Sequence, residues 1–264
     1  MEPKIIQAFL MSVIAGIALV TGGIMPLVLK KIRKPVLPLI LSFTGGIMLY
    51  VAFVKFLPAA NAQLETVFEY KKAFRITTLV FFGGLLATVP IDMILAYFQR
   101  KFKSEENLSE DIRKRHEHKL FSFIFLSITM HNFFEGIAAF LTYFSEEYIA
   151  FPVVLSIIAH NIPEGMVIAM VIFKKSKNKR KAILFCLISA IAEPLGAVGT
   201  YLFLHESMTP VTFGMVKAFL AGLLVNTALD ELIPGADLKG GHQLSMKGII
   251  GGMLFMAILM MTAY

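Results

Sequence analysis

Apolar residues gather into eight long stretches, 5–29, 36–57, 74–98, 120–144, 148–173, 182–204, 211–231 and 246–264, and polar residues crowd into the connections between them. Each stretch approaches the ~20 residues that an α-helix needs to cross ~30 Å of hydrocarbon. In that medium every backbone N–H and C=O must be satisfied within its own segment, so the pattern predicts membrane-spanning helices. The alternating ten-residue segments of a β-barrel are absent. Lys4 alone precedes the first stretch as a basic residue, and no clear small-x-small cleavage site ends it, so it reads as a retained helix rather than a signal peptide. The expected fold is an all-α integral membrane protein with eight transmembrane helices, a single polytopic domain over 1–264 whose longest connection is a charged loop at about 99–119.

Composition strengthens this reading. Hydrophobic residues make up 57% of the chain and charged residues only 16%, against about 25% charged in a soluble domain. An ordinary soluble enzyme and a disordered chain are thereby excluded. A disulfide-stapled domain is excluded too, because Cys186 is the single cysteine; in its apolar stretch it reads as a small buried hydrophobe.

The net charge of +7 gains meaning from where the charges sit. Lys30, Lys31, Arg33 and Lys34 follow the first span. Arg100, Lys101, Lys103, Arg113, Lys114, Arg115 and Lys119 follow the third. Lys174, Lys175, Lys177, Lys179, Arg180 and Lys181 follow the fifth, and Lys239 and Lys247 the seventh. The opposite side carries only Lys4, Lys71, Lys72 and Arg75. The positive-inside rule then places the rich side in the cytoplasm and both termini outside. No nucleic-acid-binding motif accompanies these residues, so nucleic acid is not an expected partner. His116 and His118 in the 99–119 loop read as part of a solvated linker.

Internal similarity is visible. Gly46 to Pro58 in the second span matches Gly222 to Pro234 in the seventh at one constant offset, and Phe81-Phe82-Gly83-Gly84 in the third matches Ile249-Ile250-Gly251-Gly252 in the eighth. The offset is five spans, an odd number, so the copies run in opposite directions. Spans 1–3 and 6–8 are expected to form an inverted repeat around a central pair, spans 4 and 5, a plan common among transporters.

The central pair carries the chemistry. Each of its spans contains H-N-x-x-E-G: His131, Asn132, Glu135 and Gly136 in the fourth, and His160, Asn161, Glu164 and Gly165 in the fifth. Residues i and i+4 share a helix face, so His131 points with Glu135 and His160 with Glu164. Antiparallel spans bring the two motifs together near mid-membrane. Two imidazoles and two carboxylates converging there suit a divalent cation. Pro163 has no N–H to donate and leaves the Ala159 carbonyl free. Glu193, beside Pro194 in the sixth span, adds a third intramembrane carboxylate. On insertion scales each such charge costs about 2.5–3.5 kcal/mol, and a bound cation offsets this. The alternative is a set of helix–helix hydrogen bonds. Lacking thiolate, the ligand set suits zinc, iron(II), manganese, cobalt or cadmium rather than Cu(I).

Other polar residues hold two readings each. Met48 either presents a thioether to the site or fills core space. Lys55, two turns along the same face, either lines the outer mouth or snorkels to the interface. Asn226, Asp230 and Glu231 run toward the cytoplasmic end of the seventh span, as an exit path or as a solvated helix end. Asp92 pairs structurally or not at all.

These motifs resemble those of the ZIP (Zrt/Irt-like) metal transporters, within them the bacterial ZupT-type and GufA-type branch. The resemblance rests on H-N-F-F-E-G at 131–136, H-N-I-P-E-G at 160–165 and A-E-P-L-G-A at 192–197, and it covers essentially the whole chain. It implies import of Zn²⁺, with Fe²⁺, Mn²⁺, Co²⁺ and Cd²⁺ as further candidate substrates, across the bacterial cytoplasmic membrane, and no organic cofactor. It implies a binuclear site between spans 4, 5 and 6. One metal would be held by His131 and Glu164, with Met48 and His160 adjacent. The second would be held by Asn132, Glu135, His160, Asn161, Glu164 and Glu193, with Glu164 bridging. It also implies an elevator-like movement of spans 1, 4, 5 and 6 against 2, 3, 7 and 8, and a homodimer. Lys55 is a departure, since many ZupT-like relatives carry an acidic residue there.

Two other functions compete. An intramembrane metal-dependent hydrolase could use the same ligands to activate water, but H-E-x-x-H is missing and no separate base or nucleophile stands out. A metal sensor would need an output domain, and the sequence has none.

Overall fold

The computed structural model describes residues 3–29, 36–87, 129–141, 147–204 and 209–263, with Val89, Met93, Phe125 and Tyr143 as single positions between them. Asp92, His116, His118 and the 99–119 loop lie outside the described residues. Among the described residues all regular structure is helical. In chain order the elements are α1 (Pro3–Val28), α2 (Val36–Tyr50), α3 (Leu57–Glu65), α4 (Tyr70–Leu86), α5 (129–141), α6 (Glu147–Ser176), α7 (Lys179–Leu204), α8 (Pro210–Asn226), α9 (Ile233–Gly240) and α10 (His242–Ala263). Among the described residues five helical runs are long and apolar enough to cross a membrane: Ile5–Val28, Pro38–Glu65, Lys179–Phe203, Pro210–Leu238 and His242–Thr262. Large apolar side chains such as Phe203 and Met261 are about four-fifths exposed, at 82% and 77%, which is tolerable against lipid and costly against water.

Two of these runs contain a widened π turn, Val51–Phe56 between α2 and α3 and Thr227–Leu232 between α8 and α9. The cause is local. Pro58 and Pro234 each lack an N–H, and their rings press on the preceding turn. Widening relieves this: the N–H of Leu57 reaches back five residues to Ala52 O, and that of Ile233 to Ala228 O. The π turn lets the helix pass Pro58 unbroken, so the second span continues to Glu65 instead of ending at 57. The helix of the third span starts at Tyr70, earlier than the apolar pattern suggested.

Connections are short and chemically marked. Thr209 caps α8, its Oγ1 accepting from Thr212 N at 3.2 Å, with Pro210 opening the first turn. Asn178 Oδ1 accepts from Lys181 N at 3.1 Å at the start of α7. The preceding Lys177 adopts φ 54°, which turns the chain sharply enough to set α6 and α7 antiparallel. Lys179 donates to Leu27 O at 2.7 Å, placing a cation on the carbonyl end of α1.

The helices pack in two groups. In one, α1 lies against α6 and α7, and α5 joins through α7. In the other, α2 packs on α10, and α4 and α3 pack on α8. The groups meet where α2 and α10 contact α6. Glycines set the closest approaches inside each group. A Cβ on Gly136 would collide with the Glu193 carbonyl, one on Gly165 with that of Leu19, one on Gly46 with that of Ile249, and one on Gly222 with that of Phe81. Backbones this close are held by Cα–H···O contacts and dispersion. Pro194 leaves Ala190 O without its helical donor, and Gly16 is the residue that lies over that carbonyl.

Candidate metal centre

The two H-N-x-x-E-G motifs sit on α5 and α6, and the fold brings them together. Glu135 Oε1 lies 2.9 Å from His131 Nε2 on its own helix and 2.5 Å from His160 Nε2 on the next. The three ligand atoms lie within 4.8 Å of one another, a span that one cation can gather with small side-chain rotations. The His131 and His160 rings are 6.5 Å apart, centroid to centroid. Glu135 and His160 are buried, and His131 is nearly so.

Beside this triad lies a second polar cluster, between α1, α5, α6 and α7. Asn132 sits between Ser189 and Glu164. With its amide nitrogen turned to the carboxylate it donates to Glu164 at 3.1 and 3.2 Å, and its carbonyl accepts from Ser189 Oγ at 2.8 Å. This orientation gives each atom a partner of the right kind. Asn161 Nδ2 donates to Ala15 O at 3.0 Å and to Glu193 Oε1 at 2.5 Å. Glu193 is fully buried, and its Oε2 has no partner among the described residues; Asn161 Oδ1 and His160 Nδ1 share that condition. Buried polar atoms are normally satisfied, so the open oxygens of Glu193 and Asn161 stand out in a cluster that also holds Glu164.

Two cavities flank the triad on opposite sides of the layer formed by Met48, His131 and His160. One, of about 20 Å³, is walled by Val51, Phe56, Ala138, Ile157 and Leu224. The other, of about 150 Å³, is lined by Thr44, Glu164, Val167, Thr227 and Gly235. Met48 is 3% exposed and borders both, so it packs in the core and faces the site at once.

Eight of the residues singled out by sequence therefore meet: Met48, His131, Asn132, Glu135, His160, Asn161, Glu164 and Glu193. Of the pathway residues, Lys55, Asn226 and Asp230 line neither cavity. Lys55 is buried at 8% exposure within the first π turn. Asn226 ends α8 half-buried, Asp230 is exposed, and the Glu231 side chain lies outside the described residues.

Three residues were missed. Thr227 Oγ1 lies 3.3 Å from His131 Nδ1. Thr44 lines the larger cavity, and Ser189 holds Asn132. Helical spacing could have found two of them, since Thr44 precedes Met48, and Ser189 precedes Glu193, by four residues.

Comparison with known proteins agrees with this geometry. The family described as ZIP zinc transporter matches residues 104–260. The zinc transporter ZupT of Streptococcus mutans serotype c is 32% identical over 258 residues, covering 98% of both chains. That of Chlorobium luteolum is 35% identical over 254 residues, 95% of this chain and 96% of the relative. That of Clostridium perfringens is 31% identical over 271 residues, 97% and 95%.

Proposed function

Because the chain belongs to the ZIP family, whose members are transporters and not enzymes, we propose that it carries a divalent metal ion, zinc first, into the cytoplasm across the cytoplasmic membrane. The observation that carries this is the buried His131–Glu135–His160 triad with the open oxygens of Glu193 and Asn161 beside it. Mixed nitrogen and oxygen ligands fit Zn²⁺ and extend to Fe²⁺, Mn²⁺, Co²⁺ and Cd²⁺.

The ion is held at two adjacent positions. His131, Glu135, His160, Glu164 and Met48 serve the first. Asn132, Asn161, Glu193 and the shared carboxylates Glu135 and Glu164 serve the second. Ligands this mixed, several of them neutral, let the ion go again, as transport demands.

Spans 1–3 and 6–8 form an inverted repeat around spans 4 and 5. Several features support this. The π turns Val51–Phe56 and Thr227–Leu232 fall at the same offset as Gly46 and Gly222. Gly46 packs on Ile249 where Gly222 packs on Phe81, which are matching positions of spans 8 and 3. Gly136 and Gly165, matching positions of spans 4 and 5, pack on spans 6 and 1 respectively.

Alternating access arises when α1, α5, α6 and α7 move as a block against the other group. The packing of the helices in two groups supports this reading. Both termini face outside, as the basic connections require. The 150 Å³ cavity then opens toward the cytoplasm and the 20 Å³ cavity is the closed outer side. A homodimer completes the assembly. Zinc entry into proteoliposomes that enclose a zinc-sensitive dye tests the reading. Protein-dependent, saturable entry is expected; entry no faster than in empty liposomes would contradict it.

A further inference from the structure

Several hydroxyl side chains in these helices turn back to the carbonyl four residues earlier. Thr21 bonds Ile17 O, Ser42 bonds Pro38 O, Thr78 bonds Phe74 O and Thr200 bonds Gly196 O, all at 2.8–2.9 Å. That is the ordinary way for a helical Ser or Thr to satisfy itself away from water. Thr44 does otherwise. It is 1% exposed, its Oγ1 has no partner among the described residues, and it lines the 150 Å³ cavity with Met48, His131, His160 and Glu164. A second hydroxyl lines the same cavity. Thr227, 7% exposed, turns its Oγ1 to His131 Nδ1 at 3.3 Å.

We propose that Thr44 is a direct oxygen ligand on the inner side of the site, taking the divalent ion from His160 and Glu164 as it leaves, and that Thr227, in the same helix group, positions His131. Three facts point this way. An orphaned buried hydroxyl has oxygen lone pairs to offer and nothing else to receive them. Its neighbours in the cavity wall are the two imidazoles and the carboxylate that hold the ion. Its neutrality matters as well: a hydroxyl binds a hard cation more weakly than a carboxylate does, so the ion is lowered out of the site in steps. The Thr227 hydroxyl on Nδ1 keeps Nε2 of His131 aimed at Glu135 and the ion, the service that outer partners commonly give to metal-binding histidines. Both threonines belong to the helix group across from the His and Glu ligands, so each acts at the junction of the two groups.

The inference rests on the transport reading, and the two fail differently. Uptake of Mn²⁺, Zn²⁺ and Cd²⁺ into proteoliposomes is measured for wild type, Thr44→Val, Thr44→Ser and Glu164→Ala. Metal binding to each purified protein is measured by calorimetry. Thr44→Val keeps the volume and removes the oxygen. The expected result is a roughly fivefold or larger fall in maximal Mn²⁺ and Zn²⁺ uptake, a smaller fall for the softer Cd²⁺, nearly unchanged binding affinity, and recovery in Thr44→Ser. Wild-type rates in Thr44→Val would overturn the ligand role. An equal fall for all three metals that Thr44→Ser does not restore would also overturn it, and would assign Thr44 to packing. Absence of uptake in the wild type, or undiminished uptake in Glu164→Ala, would overturn the transport reading itself.

Discussion

His160 Nε2 lies 2.5 Å from Glu135 Oε1, a contact between two consecutive spans across 25 residues of chain. His131 approaches the same oxygen from one turn away. A single carboxylate thus joins both motifs, and its charge compensates whatever cation they gather. Glu135→Gln keeps the shape and removes the charge. Zinc affinity of the purified protein is expected to fall by about 10-fold or more, read by calorimetry, while the thermal midpoint moves little. Unchanged affinity would remove Glu135 from the ligand set.

Asn161 ties α6 to α1 and to α7 through one amide, by Ala15 O and Glu193 Oε1. Asn161→Ala strips a donor from two buried acceptors. A loss of about 1–3 kcal/mol is expected, seen as a lower midpoint in thermal unfolding. Added zinc should recover less of that stability in the variant than in wild type, because Asn161 Oδ1 is one of the open oxygens.

Close packing sets a separate prediction. Gly136→Ala and Gly165→Ala each drive a methyl into a backbone carbonyl, which cannot rotate away. Each should destabilise by about 1–3 kcal/mol or more. Gly83→Ala is the control, since a Cβ there meets nothing within 4 Å; it should leave yield and unfolding temperature unchanged.

Orientation is testable with cysteines. Cys186 is buried, and Cys186→Ala supplies a background without thiols. In that background Lys72→Cys and Arg180→Cys place thiols at two exposed positions, which the positive-inside rule assigns to opposite sides of the membrane. An impermeant maleimide should label Lys72→Cys in intact cells and Arg180→Cys only after lysis. The reverse pattern would invert the topology.

Much of this was legible in the sequence for physical reasons. Hydrocarbon forces long apolar helices, and among the described residues five of the eight expected spans coincide with helices long and apolar enough to cross. The i, i+4 spacing of His131 with Glu135 made their shared face predictable, and the antiparallel order of the two motifs made the approach of His160 predictable too. Other features depend on geometry that sequence spacing does not encode. Continuation of the second span past Pro58 required the π turn, because a proline in a helix usually reads as an end. Thr227 reaches His131 only through the packing of α8 and its π turn against α5. Lys55, read from its place near a span end as lining the outer mouth or snorkelling to the interface, is buried, and burial of that kind depends on packing that spacing does not encode.

Glu164 stands at the centre of the account, since it borders the larger cavity with both imidazoles and accepts from Asn132. The most direct measurement is zinc uptake by proteoliposomes containing wild type, Glu135→Ala or Glu164→Ala, with insertion of each checked by protease protection. Saturable uptake by the wild type and loss of it in both inserted variants is predicted. Wild-type rates in both variants would contradict transport through this site.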